Sequence, residues 1–260
     1  YAKCIDLSAE KEPDIFAAVK PGALLENVTY KEGTNECDYE DGSITENTRV
    51  SYPLHHIDNI QEGSIGQNPK NIFFLTADAF GVLPPISKLT PGQAAFQFIS
   101  GYTAKVAGTE AGVTEPQTAF SACYGAPFMP LHPTKYADML SSKMQAAGVN
   151  VWLVNTGWTG GEYGVGSRMK LKYTRAMITA ALNGELDNVE FVNDPVFQLA
   201  MPSTCPNVPD EILNPRNTWE DKAAYDEKAN ILAQKFNDNF KQFADNASQE
   251  ILDGAPKGSN

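Results

Sequence analysis

With 260 residues, 42% of them hydrophobic and 20% charged, the chain is long enough to bury a real core, which excludes wholesale disorder. Its formal charge of −12 repels nucleic acid and anionic lipid, so a phosphate ligand has to be held by a few local cations. No apolar run reaches the length of a membrane-spanning helix, and Cys4, Cys37, Cys123 and Cys205 are too scattered for a zinc motif or a disulfide framework, which predicts reduced thiols in a soluble, cytoplasmic chain.

Tyr1 to Leu7 reads as a strand already under way with no initiator methionine before it, so a fragment is expected. Pro13 with Ile15, Phe16 and Val19 marks a short helix that stops at Pro21-Gly22. Leu24 to Tyr30 and Thr45 to Tyr52 are expected to pair as strands around an acidic turn, Glu36 to Gly42. Gln61 to Lys70 is a surface loop by composition, and Asn71 to Thr76 has the continuous apolar pattern of a strand covered on both faces. Thr90-Pro91 starts a helix with Ala94, Ala95, Phe98 and Ile99 inward, whereas Gly108 to Thr118 is small, polar and lid-like. A helix from Thr134 to Ala147, with Tyr136, Met139, Leu140 and Met144 inward, precedes the apolar run Val151 to Val154. Strand, helix, strand order predicts an α/β sheet. An irregular Asp194 to Asn217 follows, then a long amphipathic helix within Trp219 to Phe243 with Ala223, Leu232, Phe236 and Phe240 inward, and a loose tail from Gly254 to Asn260.

Between Asn155 and Arg175 a strand feeds a glycine-rich loop and then a helix, a common way to build a nucleotide pocket. The Walker pattern G-x-x-x-x-G-K-[ST] is nevertheless absent. Arg49 lies inside a strand, where a guanidinium is costly to hide unless it meets an anion; the plainer reading is a salt bridge to Glu46 or Asp58. Arg168 can stack on a purine ring or lie in solvent. Asp78, at a strand end, is either functional or a turn cap. His55, His56 and His132 lack metal or triad spacing and read as structural.

Taken together, the runs Tyr1-Ala-Lys-Cys-Ile, Thr45 to Pro53, Thr76 to Pro85, Gly108 to Gly125, Leu131-His-Pro, Asn155-Thr-Gly-Trp and Tyr173-Thr-Arg175 closely resemble ATP-dependent phosphoenolpyruvate carboxykinase. The resemblance implies the mixed-sheet α/β C-terminal nucleotide-binding domain of that fold, over residues 1–253 and incomplete at its N-terminus. It implies the substrates ATP or ADP and oxaloacetate or phosphoenolpyruvate, with no nucleic acid or membrane partner. Mg2+ and Mn2+ are implied as well, with their ligands and the P-loop in an N-terminal part of the enzyme upstream of Tyr1. A homo-oligomer is compatible with it, because the family varies in this respect. By position, Arg49 matches the arginine on the γ-phosphate, Glu12 a carboxylate at the ribose, Arg168 and Met169 residues that enclose adenine, Thr174 another nucleotide contact and Lys3 a weaker one. Gly108 to about Phe120 resembles the mobile lid. Thr159 to Ser167 is longer than the shorter bacterial pattern. The alternative is a standalone adenine-nucleotide-binding module without catalysis.

Overall fold

The structure, a computed structural model, describes residues 1–105 and 115–258. The chain divides into two compact units, one built from Tyr1–Gln67 together with Lys105 and residues 115–116, the other from Asn68–Ala104 and residues 117–258.

In the first unit, β1 (Ala2–Lys3), β5 (Arg49–Ser51) and β2 (Leu24–Glu26) form a three-stranded antiparallel sheet with β5 in the middle. The strand predicted over Tyr1 to Leu7 is cut to two residues because the chain turns at Asp6, whose φ is 56°. Similarly, Asn27 takes φ 61° and splits the run Leu24 to Tyr30. Of its two pieces, β2 pairs with β5, while β3 (Thr29–Tyr30) folds onto β4 (Cys37–Asp38). Helix α1 (Pro13–Ala18) starts at the predicted proline. Its Ala18 carbonyl lies 2.9 Å from His56 Nδ1, which ties the helix to the segment after β5. Cys4, Leu7 and Val50 are the buried centre of this unit, with Ile15, Val19, Leu25, Tyr39 and Tyr52 around them.

The second unit is organised on a mixed five-stranded sheet. Its strands are β6 (Asn71–Thr76), β7 (Ile86–Lys88), β10 (Asn150–Asn155), β13 (Phe191–Asn193) and β14 (Ala200–Pro202), in the order β13-β14-β7-β10-β6. The β10–β6 pair is parallel and the other three are antiparallel. Between them lie α2 (Pro91–Ser100), β8 (Tyr102–Lys105), β9 (Gln117–Phe120) and α3 (Pro133–Ala147), then β11 (Trp158–Thr159), β12 (Ser167–Arg168) and α4 (Leu171–Leu182). The short α5 (Asp210–Leu213) and α6 (Pro215–Thr218) lead to α7 (Lys222–Phe240) and α8 (Gln249–Asp253).

Strand β10 lies inside the sheet, between β7 and β6, and is buried on both faces, so its side chains are shared by period-2 alternation between two cores. Val151 and Leu153 pack with Phe96 and Ile99 of α2 and Leu232 and Phe236 of α7, whereas Trp152 and Val154 pack with Met177 and Ala180 of α4. The capping box at the start of α2 is complete, with Thr90 accepting from Gln93 N–H and the Gln93 side chain accepting from Thr90 N–H. Asp221 caps α7 through the N–H groups of Ala223 and Ala224.

Three expectations of burial do not hold. Strand β6 lies at the sheet edge and leaves Leu75 56% exposed, so it is not covered on both faces along its length. Met139 points outward on α3, where Ala137 and Met144 take the inward face. Ala223 is exposed in the first turn of α7, and Tyr225 and Ala229 set the buried stripe. The predicted lid lies outside the described residues up to Thr114, and its end, Gln117–Phe120, is strand β9. Composition predicts a loose tail from Gly254; through Gly258 the backbone is held by Lys257 N–H and Gly258 N–H on the Val196 carbonyl, at 2.9 and 3.3 Å.

Candidate functional site

In the second unit, the carboxyl ends of the parallel strands β6 and β10 carry the turn around Asp78 and the glycine-rich segment. Asp78 is fully buried and accepts from the N–H groups of Phe80, Val82 and Leu83 and from the Tyr102 hydroxyl, at 2.8–3.0 Å. Burial raises its pKa, against the lowering effect of those four bonds. Asp78 is therefore the turn cap of the two readings left open by the sequence. Asn155 closes the junction from the other strand: its Oδ1 accepts from Asp78 N–H and Gly157 N–H at 2.9 and 2.8 Å, and its Nδ2 donates to the Leu83 carbonyl at 2.9 Å. A Cβ on Gly157 would collide with the Asp78 backbone, so only glycine permits this crossing.

The glycine-rich stretch is a hairpin, with Trp158 opposite Arg168 and Thr159 opposite Ser167. It is pinned along its length. Trp158 N–H donates to Asp78 O at 2.9 Å, Tyr163 N–H to Ala79 O at 2.9 Å and Gly160 N–H to Thr218 Oγ1 at 3.0 Å. Next to Gly161, Glu162 pairs with Lys228 of α7 at 2.8 Å. Gly81 and Gly161 meet backbone to backbone with no room for a Cβ.

Arg168 is exposed, with Nε donating to the Thr156 carbonyl at 2.9 Å and its guanidinium over the Trp158 ring at 5.2 Å from the centroid. Met169 is buried and donates its N–H to Gly157 O at 2.8 Å. Thr174 is buried in the first turn of α4, whose N-cap, Lys170, makes no side-chain bond to the helix end.

In the first unit, Glu12 is exposed at the N-cap of α1 and its side chain makes no capping bond. Arg49 is half-buried on β5, with Lys3 and Glu26 beside it in register on the flanking strands. Its Nε donates to Asn47 Oδ1 at 3.1 Å, and its Nη1 donates to the Tyr1 hydroxyl at 2.7 Å and lies 3.9 Å from Glu26 Oε2. The acid beside Arg49 is thus Glu26, brought in by strand pairing, and not Glu46 or Asp58. Glu12 and Arg49 belong to one unit; Arg168, Met169 and Thr174 belong to the other.

The histidines are structural in their contacts: His56 with Ala18 O, and His132 Nδ1 with Thr134 Oγ1 at 2.8 Å. All four cysteines are free, and burial pushes the thiols of Cys123 and Cys205 up to about 11, so neither is a ready thiolate. Among the described residues no three His, Cys, Asp or Glu side chains converge to hold a metal ion. Among the same residues no helix is long and apolar enough to cross a membrane. Sequence reasoning missed Thr218 and Lys228 as anchors of the hairpin, since partners 58 and 66 residues away leave no local signal.

The family model of phosphoenolpyruvate carboxykinase matches residues 1–211. Curated proteins named phosphoenolpyruvate carboxykinase (ATP) align across nearly all of the chain: 77% identity over 98% of it for Flavobacterium johnsoniae and 68% over 98% for Christiangramia forsetii. The protein of Caldanaerobacter subterraneus subsp. tengcongensis is 58% identical over 99%. The chain spans about half the length of these relatives, 48%, 48% and 49%. With a mixed sheet carrying a pinned hairpin at its strand ends, and a match that runs through both units, the chain belongs to the phosphoenolpyruvate carboxykinase family.

Proposed function

We propose that residues 1–253 are the nucleotide-binding C-terminal part of an ATP-dependent phosphoenolpyruvate carboxykinase, a cytoplasmic enzyme of gluconeogenesis that converts oxaloacetate and ATP to phosphoenolpyruvate, carbon dioxide and ADP. The observation that carries this reading is the alignment of 98% of the chain, at 77% identity, with a protein named for that activity. In this reaction the C–C bond to the departing carboxylate breaks and its electron pair forms an enolate. The enolate oxygen then takes the γ-phosphoryl group as the bond to ADP breaks. Charge grows on the enolate and on the phosphoryl oxygens, and fixed cations aimed at those atoms lower the barrier.

Arg49 is assigned to the γ-phosphate. What supports it is an arginine already oriented by Asn47 and Tyr1, with a planar fork suited to phosphate oxygens. Glu12 is assigned to the ribose hydroxyls, which its exposed carboxylate can accept from. Arg168 and Met169 are assigned to adenine and Thr174 to a further nucleotide contact. Met169 is 8% and Thr174 5% exposed, so exposed Arg168 offers the larger surface to a planar ring. The ligands of the Mg2+ and Mn2+ that the resemblance implies are assigned to another segment of the enzyme; among the described residues no three His, Cys, Asp or Glu side chains converge.

Oxaloacetate-dependent formation of phosphoenolpyruvate from ATP, measured on the complete enzyme that contains this chain, tests the reading. Activity with ATP is the expected result, and an enzyme with no such turnover overturns it. The 260-residue chain alone is expected to be inactive while binding ATP; turnover by it would sink the assignment of metal and P-loop to another segment.

A further inference from the structure

We infer that Trp158, braced by Tyr163, is a positioning residue that fixes the plane of the Arg168 guanidinium so that its outer face receives a planar heterocycle. The inference rests on the proposed nucleotide reading for the identity of that ring, adenine. The arrangement itself stands on geometry. Trp158 and Arg168 are direct cross-strand partners, and the guanidinium lies over the indole. Its Nε is bonded to Thr156 O, which fixes the remaining rotation about the side chain. The Tyr163 ring meets Trp158 edge-on, with centroids 5.5 Å apart and planes at 82°, so the indole cannot turn without displacing it. Both aromatic residues are anchored in turn by their own N–H groups, on Asp78 O and Ala79 O.

Charge favours the same use. Among the described residues no carboxylate lies within ion-pair distance of Arg168, although the chain carries a formal charge of −12. A cation that neutralised surface acids would have one beside it. Instead the contacts of Arg168 are an aromatic face and a carbonyl, which hold a guanidinium without quenching its charge. An exposed arginine normally has many rotamers to lose on binding a ligand; here that ordering precedes the ligand.

The test is titration of the full 260-residue chain with ATP and, separately, with inorganic tripolyphosphate, which has the charge and lacks the ring. Trp158→Leu should weaken ATP binding about fourfold, the scale of an exposed cation–π contact, with tripolyphosphate unchanged. Trp158→Phe should restore most of the loss. Arg168→Ala is the reference: if it leaves ATP affinity unchanged, or the wild-type chain binds no ATP, the nucleotide reading falls and this inference with it. If Arg168→Ala weakens ATP binding and Trp158→Leu does not, the positioning role alone is overturned. Equal weakening of both ligands by Trp158→Leu would make Trp158 merely structural and overturns it too. Independently of any ligand, the Arg168 Nε–H resonance should lie upfield in the wild type from the indole ring current and lose that shift in Trp158→Leu; an unshifted wild-type resonance contradicts the stacking.

Discussion

Arg49 and Arg168 are each held through Nε on an oxygen and lie near an aromatic ring, Tyr1 at 5.7 Å and Trp158 at 5.2 Å from the guanidinium carbon. They differ in what stands beside the charge. Arg49 has the Glu26 carboxylate at 3.9 Å, whereas Arg168 has none among the described residues. An arginine with a weak acid partner is partly compensated at rest and can exchange that partner for a stronger anion. One laid on an indole keeps its charge and offers a flat face. On the proposed reading, the same residue type serves a phosphate in one unit and a ring in the other.

Four measurements break or sharpen this contrast. The largest effect is expected from Arg49→Ala in the complete enzyme, a fall in kcat of about two to three orders of magnitude, the scale of losing one transition-state charge stabiliser. A loss below about threefold in steady-state kinetics removes Arg49 from the site. Next comes Asp78→Ala, which strands the buried N–H groups of Val82 and Leu83 beneath the Arg168 hairpin and should cost about 3 kcal/mol in urea unfolding. A change near zero would show that the hairpin does not depend on this junction.

Glu26→Gln should strengthen tripolyphosphate binding by about threefold at low salt, and the gain should vanish as salt rises. No such gain means that Glu26 does not compensate Arg49. The smallest effect belongs to a control, Arg216, whose Nε and Nη2 bond both oxygens of Asp226 at 2.8 and 2.9 Å. The hydrogen bond from Arg216 lowers the Asp226 pKa. That stabilisation is complete above the ordinary carboxylate range and is lost as pH falls through the lowered folded-state value. Arg216→Ala should therefore lower Tm slightly at neutral pH, with the gap to wild type closing in acid; a gap that widens in acid contradicts the pairing.

What could be read from the sequence was local. Thr90-Pro91 announced a helix start, and in the structure Thr90 caps that helix in a box completed by Gln93. The apolar run Val151 to Val154 announced a strand, and β10 is that strand, which the structure buries on both faces. What could not be read was set by distant partners. Asn71 to Thr76 has the same apolar pattern as β10, yet it lies at an edge, because sheet order follows from crossovers and not from composition. Glu26 reached Arg49 through antiparallel register, a relation that a scan of nearby acids passes over. At the hairpin, glycine content suggested a loop, but the N–H groups and side chains that pin it end on Asp78, Ala79, Thr218 and Lys228.

The backbone clasp of Gly81 on Gly161 divides that hairpin into a part that tolerates change and a part that does not. Toward the stem, a methyl group at residue 161 would push into residue 166, and one at residue 157 into Asp78. At the outer end, Gly164 has open space around its missing Cβ and Val165 is 78% exposed. Extra or missing residues are thus absorbed at the tip, beyond the clasp, and leave the stem that aims Arg168 unmoved. A loop longer than the shorter bacterial pattern can then present the same arginine, and a peptide tag or spectroscopic label inserted between residues 163 and 166 would report on the hairpin without redirecting it.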